Sequence, residues 1–358
     1  MGGIPLEDVI EAYYDCRKTK RNTVNALSFE WDYEHNCIEL WKEINAHRYK
    51  PRRSIAFVVE YPVKREIFAA DFRDRIVHHI IARRIYPLLE QQFITDSYST
   101  QKGKGTLFGI QRIANHIKDC SENYSQDCYI MKLDIQVFFM SISKQLLYTC
   151  ITRFLQERYH GNDLPLLMYL LKQTIFNRPE KNCIRKVPRK CWRGLPVSKS
   201  LFGTDGSVGL PIGNLTSQLL ALLFLDELDH LVIEEWDIPH YGRYVDDMVL
   251  VHPSKEHLLA VRDKMQGWLQ SKGLLLHPKK MYLQYSVNKL FETREDITEE
   301  TLEHIRASMN SYLGMMKHFH ARRLFRNSMM RLNISWYKYV YFVSRGRNAK
   351  MVLRSRKQ

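Results

Sequence analysis

The decapeptide YGRYVDDMVL, Tyr241 to Leu250, sets Asp246 and Asp247 side by side in a run of aromatic and β-branched residues. Such a run, broken by a short polar step, reads as a buried hairpin. Burying even one unpaired carboxylate costs several kcal/mol, so a chain that folds this way must bring cations to the pair. A third carboxylate, Asp134, flanked by Leu133 and Ile135, lies in YIMKLDIQVFFMSI (residues 129–142), a run rich in β-branched and aromatic residues that reads as a strand followed by a helix start. Three carboxylates on two adjacent strands would form an oxygen-lined site for hard divalent ions, which bridge such ligands to phosphates. Two ions of this kind can activate an attacking hydroxyl and stabilise the leaving oxygen of an in-line phosphoryl displacement. A lone Asp-Asp pair is common in solvated turns; the apolar flanks Tyr244, Val245, Met248, Val249 and Leu250 are what favour burial here.

At 358 residues the chain exceeds the usual single domain, which predicts two or three subdomains. Its 54 Lys and Arg against 39 Asp and Glu give a formal charge of +15, a one-sided excess that points to a polyanionic partner. Seven cysteines are scattered singly with no CxxC pair, which suits a reducing cytosol and disfavours a disulfide framework or a zinc site. The N-terminus lacks an apolar signal core, and the apolar run from Leu219 to Leu225 is too short to span a bilayer, so a cytoplasmic protein without a membrane role is expected.

Residues 4–50 read as helical with a basic break at Arg17 to Asn22. IAFVVEYPVKREIFAADFRDR reads as a hairpin entering the helix IVHHIIARRIYPLLEQQF, whose His78 and His79 read as structural. Residues 177–209 look loop-like and hold seven Lys and Arg before residue 194, a candidate binding surface. TSQLLALLFLDELDHLVIEEW is an apolar helix entered through Pro211, Gly213 and Asn214. A helix from His257 to Ser271 precedes a short strand, GLLLH, and the pattern from about Thr298 onward is helical and basic. Tyr98, Tyr124 and Tyr244 could stack on bases, but a core role is the default for a chain with 20 tyrosines.

Several motifs, in a fixed order over roughly residues 55–285, resemble those of reverse transcriptases. YVDD resembles the Y-x-D-D motif, and KLDIQVFFMSI the first palm motif. GLPIGNLTSQ resembles the palm motif that contacts nucleotide and template. VKREIFAADFRDRIVHH resembles the fingers motif, SYSTQKGKGT the template-gripping turn, and QSKGLLLHPKK the palm segment after the catalytic hairpin. Group II intron and retron-like members commonly carry P-Q-G-x-x-x-S-P where this chain has Pro211-Ile212-Gly213-Asn214-Leu215-Thr216-Ser217-Gln218, a variant that resembles diversity-generating retroelement enzymes. FRDRIVHH and GKGT agree with that group, and SYLGMMKHF resembles its thumb. One departure stands out: the primer-gripping hairpin with an F-L-G core, expected after LHPKKMYLQYSVNK, is not recognisable, and Lys289 is followed at once by LFETREDITEE.

The resemblance implies an α+β right-hand polymerase, its fingers and palm built on antiparallel sheet and its thumb helical. Residues 1–125 would be N-terminal helices and fingers, 126–290 the palm with a basic insertion at 177–209, and 291–358 a helical basic thumb. It implies Asp134, Asp246 and Asp247 as catalytic metal ligands, with the Ile135 carbonyl, for two Mg²⁺ ions that Mn²⁺ could replace. Lys64 and Arg65 would hold the incoming triphosphate, and Phe139 would pack against the sugar's 2′ position. Ile212, Gln218 and Lys279 would also line the nucleotide site. Lys102, Gly103, Lys104 and Gly105 would grip the template, the glycines letting backbone approach phosphate. The implied activity is RNA-directed DNA synthesis from deoxynucleoside triphosphates on a retroelement template RNA, yielding cDNA with errors at adenines. A small basic accessory protein, the accessory variability determinant, is the implied partner. Two other readings stay open: an intron- or retron-type reverse transcriptase, and a catalytically idle RNA-binding scaffold.

Overall fold

The computed structural model describes residues 2–19, 23–61, 63–285, 340–345 and 348–353. The chain divides into two compact units, Met1–Ser286 and Val287–Gln358. In the first, helices α1 (Leu6–Thr19), α2 (Val24–Glu30) and α3 (Tyr33–Asn45) precede the hairpin β1 (Ser54–Val59) and β2 (Arg65–Ala69). The long helix α4 (Phe72–Gln92) follows, capped by the Asp71 side chain, which accepts from Arg73 N at 3.1 Å. Next come α5 (Thr106–Cys120), β3 (Tyr129–Asp134), the single turn α6 (Phe138–Ser141), α7 (Lys144–Arg158), α8 (Leu164–Ile175) and the short β4 (Cys183–Arg185). Helices α9 (Leu215–Phe224) and α10 (Asp226–His230) run into a π turn at Leu231–Glu235. Strands β5 (His240–Tyr244) and β6 (Asp247–His252), helix α11 (Lys255–Ser271) and β7 (Tyr282–Tyr285) complete the unit. Among the described residues no helix is long and apolar enough to cross a membrane.

Two sheets organise these elements. The larger is antiparallel with strand order β5-β6-β3-β7; α5 and α11 lie against it, and its Leu133 and Met248 share one buried core with Ile80 of α4, Leu222 of α9 and Val261 of α11. The smaller has order β2-β1-β4, with β1 and β4 parallel and Ile55 opposite Ile184. Residues 177–209, loop-like in sequence, are therefore folded against the β1–β2 hairpin. Glu66 explains why. It is 1% exposed, and its carboxylate accepts from Trp192 Nε1 at 2.6 Å, Ser200 Oγ at 2.7 Å and Leu201 N at 2.7 Å. Glu66→Ala would strand three donors, those of Ser200 and Leu201 buried and that of Trp192 half-buried, so a loss on the order of 3 kcal/mol is expected in chemical denaturation. Proteolysis within 186–203 should accelerate alongside it; unchanged stability would mean that the carboxylate is not what holds this segment.

Three expectations need correction. GLLLH forms no strand: Leu276 makes a single bridge to Ile135, and the ladder to β3 is carried by Tyr282–Tyr285, whose alternating Tyr, Leu, Gln, Tyr suits an edge position. The extended run after Asp134 stops early, because Val137 takes a left-handed φ of 51° and turns the chain into α6. In the second unit, residues expected to be helical form the antiparallel pair β8 (Val340–Arg345) and β9 (Asn348–Leu353). Their content of Val, Tyr, Phe and Met in short runs favours strand over helix. The rest of the expected helical thumb, the SYLGMMKHF stretch and the site of the primer-gripping hairpin lie outside the described residues.

Candidate active site

Strands β5 and β6 meet in a two-residue turn, with Tyr244 paired to Asp247 and Val245-Asp246 between them. Val245 has a φ of 58°, a left-handed conformation that a β-branched residue adopts only when its surroundings impose it. Those surroundings are visible. Arg243 is fully buried, and its Nη1 donates to the Val245 carbonyl at 2.9 Å, while Nε and Nη2 grip Asp229, also fully buried, at 2.7 and 2.5 Å. Tyr241 Oη donates to the same carboxylate at 2.8 Å. On the other side, Arg243 N donates to the Asp96 carbonyl and Tyr98 N to the Arg243 carbonyl, each at 2.9 Å. Any residue larger than glycine at 242 would run into the Tyr98 ring, which accounts for the Gly in YGRY.

Asp247 stands directly opposite Asp134 in the β3–β6 register, and Ile135 N donates to the Asp246 carbonyl at 3.3 Å. The chain after β3 is latched to the segment after α11: Gln136 N donates to Leu275 O and His277 N to Asp134 O, at 2.8 and 2.7 Å. That latch delivers Lys280, whose Nζ lies 2.9 Å from Asp134 Oδ2, and Lys132 Nζ lies 2.9 Å from Asp247 Oδ1. Burial, and then the carboxylates of Asp247 and Asp134, push the Asp246 acid up to about 6, with Lys280 opposing. Lys132 is held above the usual lysine value by Asp247 and Asp134, although its own burial works the other way.

Among the described residues no three metal-ligating side chains are already gathered into a ligating cluster. The donor chemistry nonetheless fits a divalent cation. All three groups are hard carboxylate oxygens, two already attract ammonium groups, and the acid of the third is raised by burial and then by the two neighbouring carboxylates.

The residues 210–214 join this site to the smaller sheet. Leu210 N donates to Phe139 O at 2.8 Å, Phe68 N to Ile212 O at 3.0 Å, and Ala70 N to Asn214 Oδ1 at 3.1 Å. Phe139 and Ile212, both half-buried, pack on one cluster of Ala56, Phe68, Met140 and Leu201, whereas Phe138 is core. Gly213, with a φ of 112°, abuts Ile67, so the strand and this loop could not approach as closely with a side chain there. Gln218 is exposed and accepts from Thr100 Oγ1 at 3.4 Å. Lys64 and Arg65 lie at the start of β2; Lys64 is tied to Glu60 at 3.0 Å and donates to Arg193 O at 2.8 Å, and Arg65 is exposed.

In the Gly-rich turn the two lysines differ. Lys102 is exposed, but Lys104 Nζ turns inward to the carbonyls of Thr95 and Ser97 at 2.8 and 3.3 Å. Gly103 and Gly105, at φ of 76° and 154°, leave open space around their backbone. Lys279 is exposed and directs only its backbone N to His277; its neighbour Lys280 is the lysine that meets the carboxylates. Tyr98 is core, but Tyr124 and Tyr244 are each 40% exposed, Tyr244 directly beside the turn. Sequence reading missed Lys132, although its spacing of two from Asp134 puts both on one strand face. It also missed the Arg243–Asp229 pair, whose 14-residue separation carries no local signal.

An antiparallel sheet carrying carboxylates at a hairpin tip and on the adjoining strand, with helices behind it, is consistent with a right-hand polymerase. The model of the reverse transcriptase (RNA-dependent DNA polymerase) family matches residues 64–316, and the chain belongs to that family. Among curated proteins it is similar to Protein YkfC of Escherichia coli (strain K12), 23% identical, with 55% of this chain and 53% of that one covered. Among solved structures it is similar to apo telomerase from Candida tropicalis truncated from its C-terminal domain, at 13% identity and a TM-score of 0.44, covering 65% of this chain and 50% of that one. Telomerase from Candida albicans in complex with a fragment of telomeric RNA gives 12%, 0.42, 67% and 44% for the same quantities. The chain thus spans about half the length of the relatives it matches.

Proposed function

We propose that the protein is an RNA-directed DNA polymerase, and within that class the enzyme of a diversity-generating retroelement. The observation that carries the first part is the opposition of Asp134 and Asp247 across β3 and β6, with Asp246 on the adjoining turn and its acid raised to about 6. Divalent ions, Mg²⁺ in the cell or Mn²⁺ in its place, would be held by these three residues and the Ile135 carbonyl, and would supply Lewis acidity to the attacking hydroxyl and the leaving pyrophosphate. The chain's own residues do the rest. The Arg243–Asp229 pair fixes the turn so that the carboxylates need no reorganisation during the reaction. Lys64 and Arg65 hold the triphosphate of the incoming deoxynucleotide, with Lys279 nearby, and the Phe139 ring excludes a 2′-hydroxyl. Lys102 and the open backbone of Gly103 and Gly105 hold template phosphates, with Lys104 bracing the turn from within. Primer extension on an RNA template, with deoxynucleotides and Mg²⁺, tests this reading; RNA binding without any extension by the folded protein would leave the idle scaffold instead.

The retroelement assignment rests on the palm segment. Where intron-type enzymes carry a glutamine able to hydrogen-bond beside the nascent pair, Ile212 only packs, on Ala56, Phe68, Met140 and Leu201. With Gln218 it would line a nucleotide site that checks base geometry loosely. One hydrogen bond there is worth about 1 kcal/mol, or roughly fivefold in relative rates. Ile212→Gln is therefore expected to lower misincorporation about fivefold opposite template adenine, with little change opposite other bases, when cDNA from both proteins is sequenced. Equal error spectra would reduce Ile212 to packing and favour the intron- or retron-type enzyme. Template RNA, cDNA and a small basic accessory protein are the partners this reading implies.

A further inference from the structure

The two lysines on the carboxylates have no part in the reading above. Lys132 and Asp247 lie on neighbouring strands, diagonal to each other, with side chains 46% and 42% exposed. Lys280 reaches Asp134 from the segment latched to β3, its own side chain 51% exposed against 10% for the aspartate. Each ammonium sits at 2.9 Å from an oxygen that a divalent ion would need. We propose that Lys132 and Lys280 are resident counter-cations that compete with divalent ions for Asp247 and Asp134, and so set the metal affinity of the site; the inference rests on the metal-ligand reading of the three carboxylates.

Like charges placed directly opposite on paired strands are destabilising, and here Asp134 faces Asp247 with Asp246 beside them. A chain that must fold before it meets metal or substrate needs positive charge at that point. The charge must also be easy to move. A half-exposed lysine contributes little net stability to such a pair, because its flexible stem must be ordered and its ammonium stays well hydrated, even where the partner, as at Asp134, is buried. Arginine would bind a carboxylate through two parallel hydrogen bonds and resist displacement. Both positions carry lysine, and both stems emerge half-exposed, so the ammonium groups can swing into solvent without disturbing the core.

The lysines therefore make metal binding an exchange. Removing one ammonium should tighten divalent-ion binding by the strength of an exposed ion pair, about fivefold in Kd, and removing both about 25-fold. Replacing lysine by arginine should weaken binding. The test is titration of Mn²⁺ into the full-length protein without nucleotide or nucleic acid, read by the loss of the free-ion paramagnetic resonance signal. Wild type, Lys132→Met, Lys280→Met, the double variant, Lys132→Arg and Asp246→Asn are compared, with Lys→Gln versions replacing any Met variant that fails to fold. Melting in a chelating buffer is the second readout: each Met variant should melt below wild type, and excess Mn²⁺ should close the gap. Unchanged or weaker Mn²⁺ binding in the Met variants would overturn the inference while leaving the carboxylate site intact. Wild-type binding that Asp246→Asn does not diminish would instead overturn the metal reading itself.

Discussion

Asp246→Asn is expected to abolish nucleotide addition, by on the order of a thousandfold or more, while leaving RNA affinity close to wild type. A metal pair contributes several kcal/mol of transition-state stabilisation, and about 4 kcal/mol corresponds to that factor. On the proposed reading RNA would be held by basic surface away from the turn, so filter binding at several salt concentrations should give superimposable curves. A second outcome separates this variant from ordinary damage: it should melt higher than wild type in chelating buffer at pH 7.5. The sign follows from the raised acid. Asp246 titrates near 6 in the fold against a value near 3.9 in the unfolded chain, so above pH 6 its ionisation favours the unfolded state. The advantage of Asn should shrink as pH falls from 6 toward 4, where the native wild-type carboxyl is protonated. A variant that loses both activity and stability at neutral pH would contradict this account, since the charge would then be holding the turn together.

The second large effect concerns what holds the turn. Arg243→Met leaves the Asp229 carboxylate fully buried without its ion partner, which typically costs about 3–5 kcal/mol. It also frees the Val245 carbonyl and with it the left-handed turn. We expect an unfolding midpoint shifted down by that amount in urea. Pairing it with Asp229→Leu removes the stranded charge, so the double variant should recover a large part of the stability. Activity should not return with it, because neither new side chain can hydrogen-bond to the Val245 carbonyl. Recovery of both would make the pair a simple packing element; recovery of neither would put the main cost in the Tyr241 hydroxyl, left without its acceptor.

Much of this was legible in the chain itself. The β1–β2 hairpin, α4, the apolar α9 and the β5–β6 hairpin follow from alternation and helical spacing, signals local to each segment. The meeting of Asp134 with Asp247 was legible because one closes a buried strand and the other opens the next, in runs of matching pattern. What was not legible depended on pairing across distance. No spacing in the sequence links Glu66 to Trp192 and Ser200, or Arg243 to Asp229, and such buried polar contacts look like surface residues until a partner is known. Lys279 and Lys280 are equivalent in sequence; only the bridge at Leu276 decides which of them reaches Asp134. Residues 340–353 went the other way: a basic composition obscured short apolar runs that pair as strands.

The parallel pairing of β1 with β4 has a consequence for how this protein is made. The β1–β2 hairpin leaves the ribosome complete at Ala69, yet its other edge stays open until Cys183–Arg185 are synthesised, about 115 residues later. At roughly 5–20 residues per second, that edge waits for about 6–23 s. Throughout that interval Glu66, on the neighbouring strand β2, is without the donors of Trp192, Ser200 and Leu201. Once Trp192, Ser200 and Leu201 emerge, the same carboxylate becomes the anchor that closes the sheet. Closure of this sheet is thus a late event of synthesis, and it waits on a carboxylate already in place in β2.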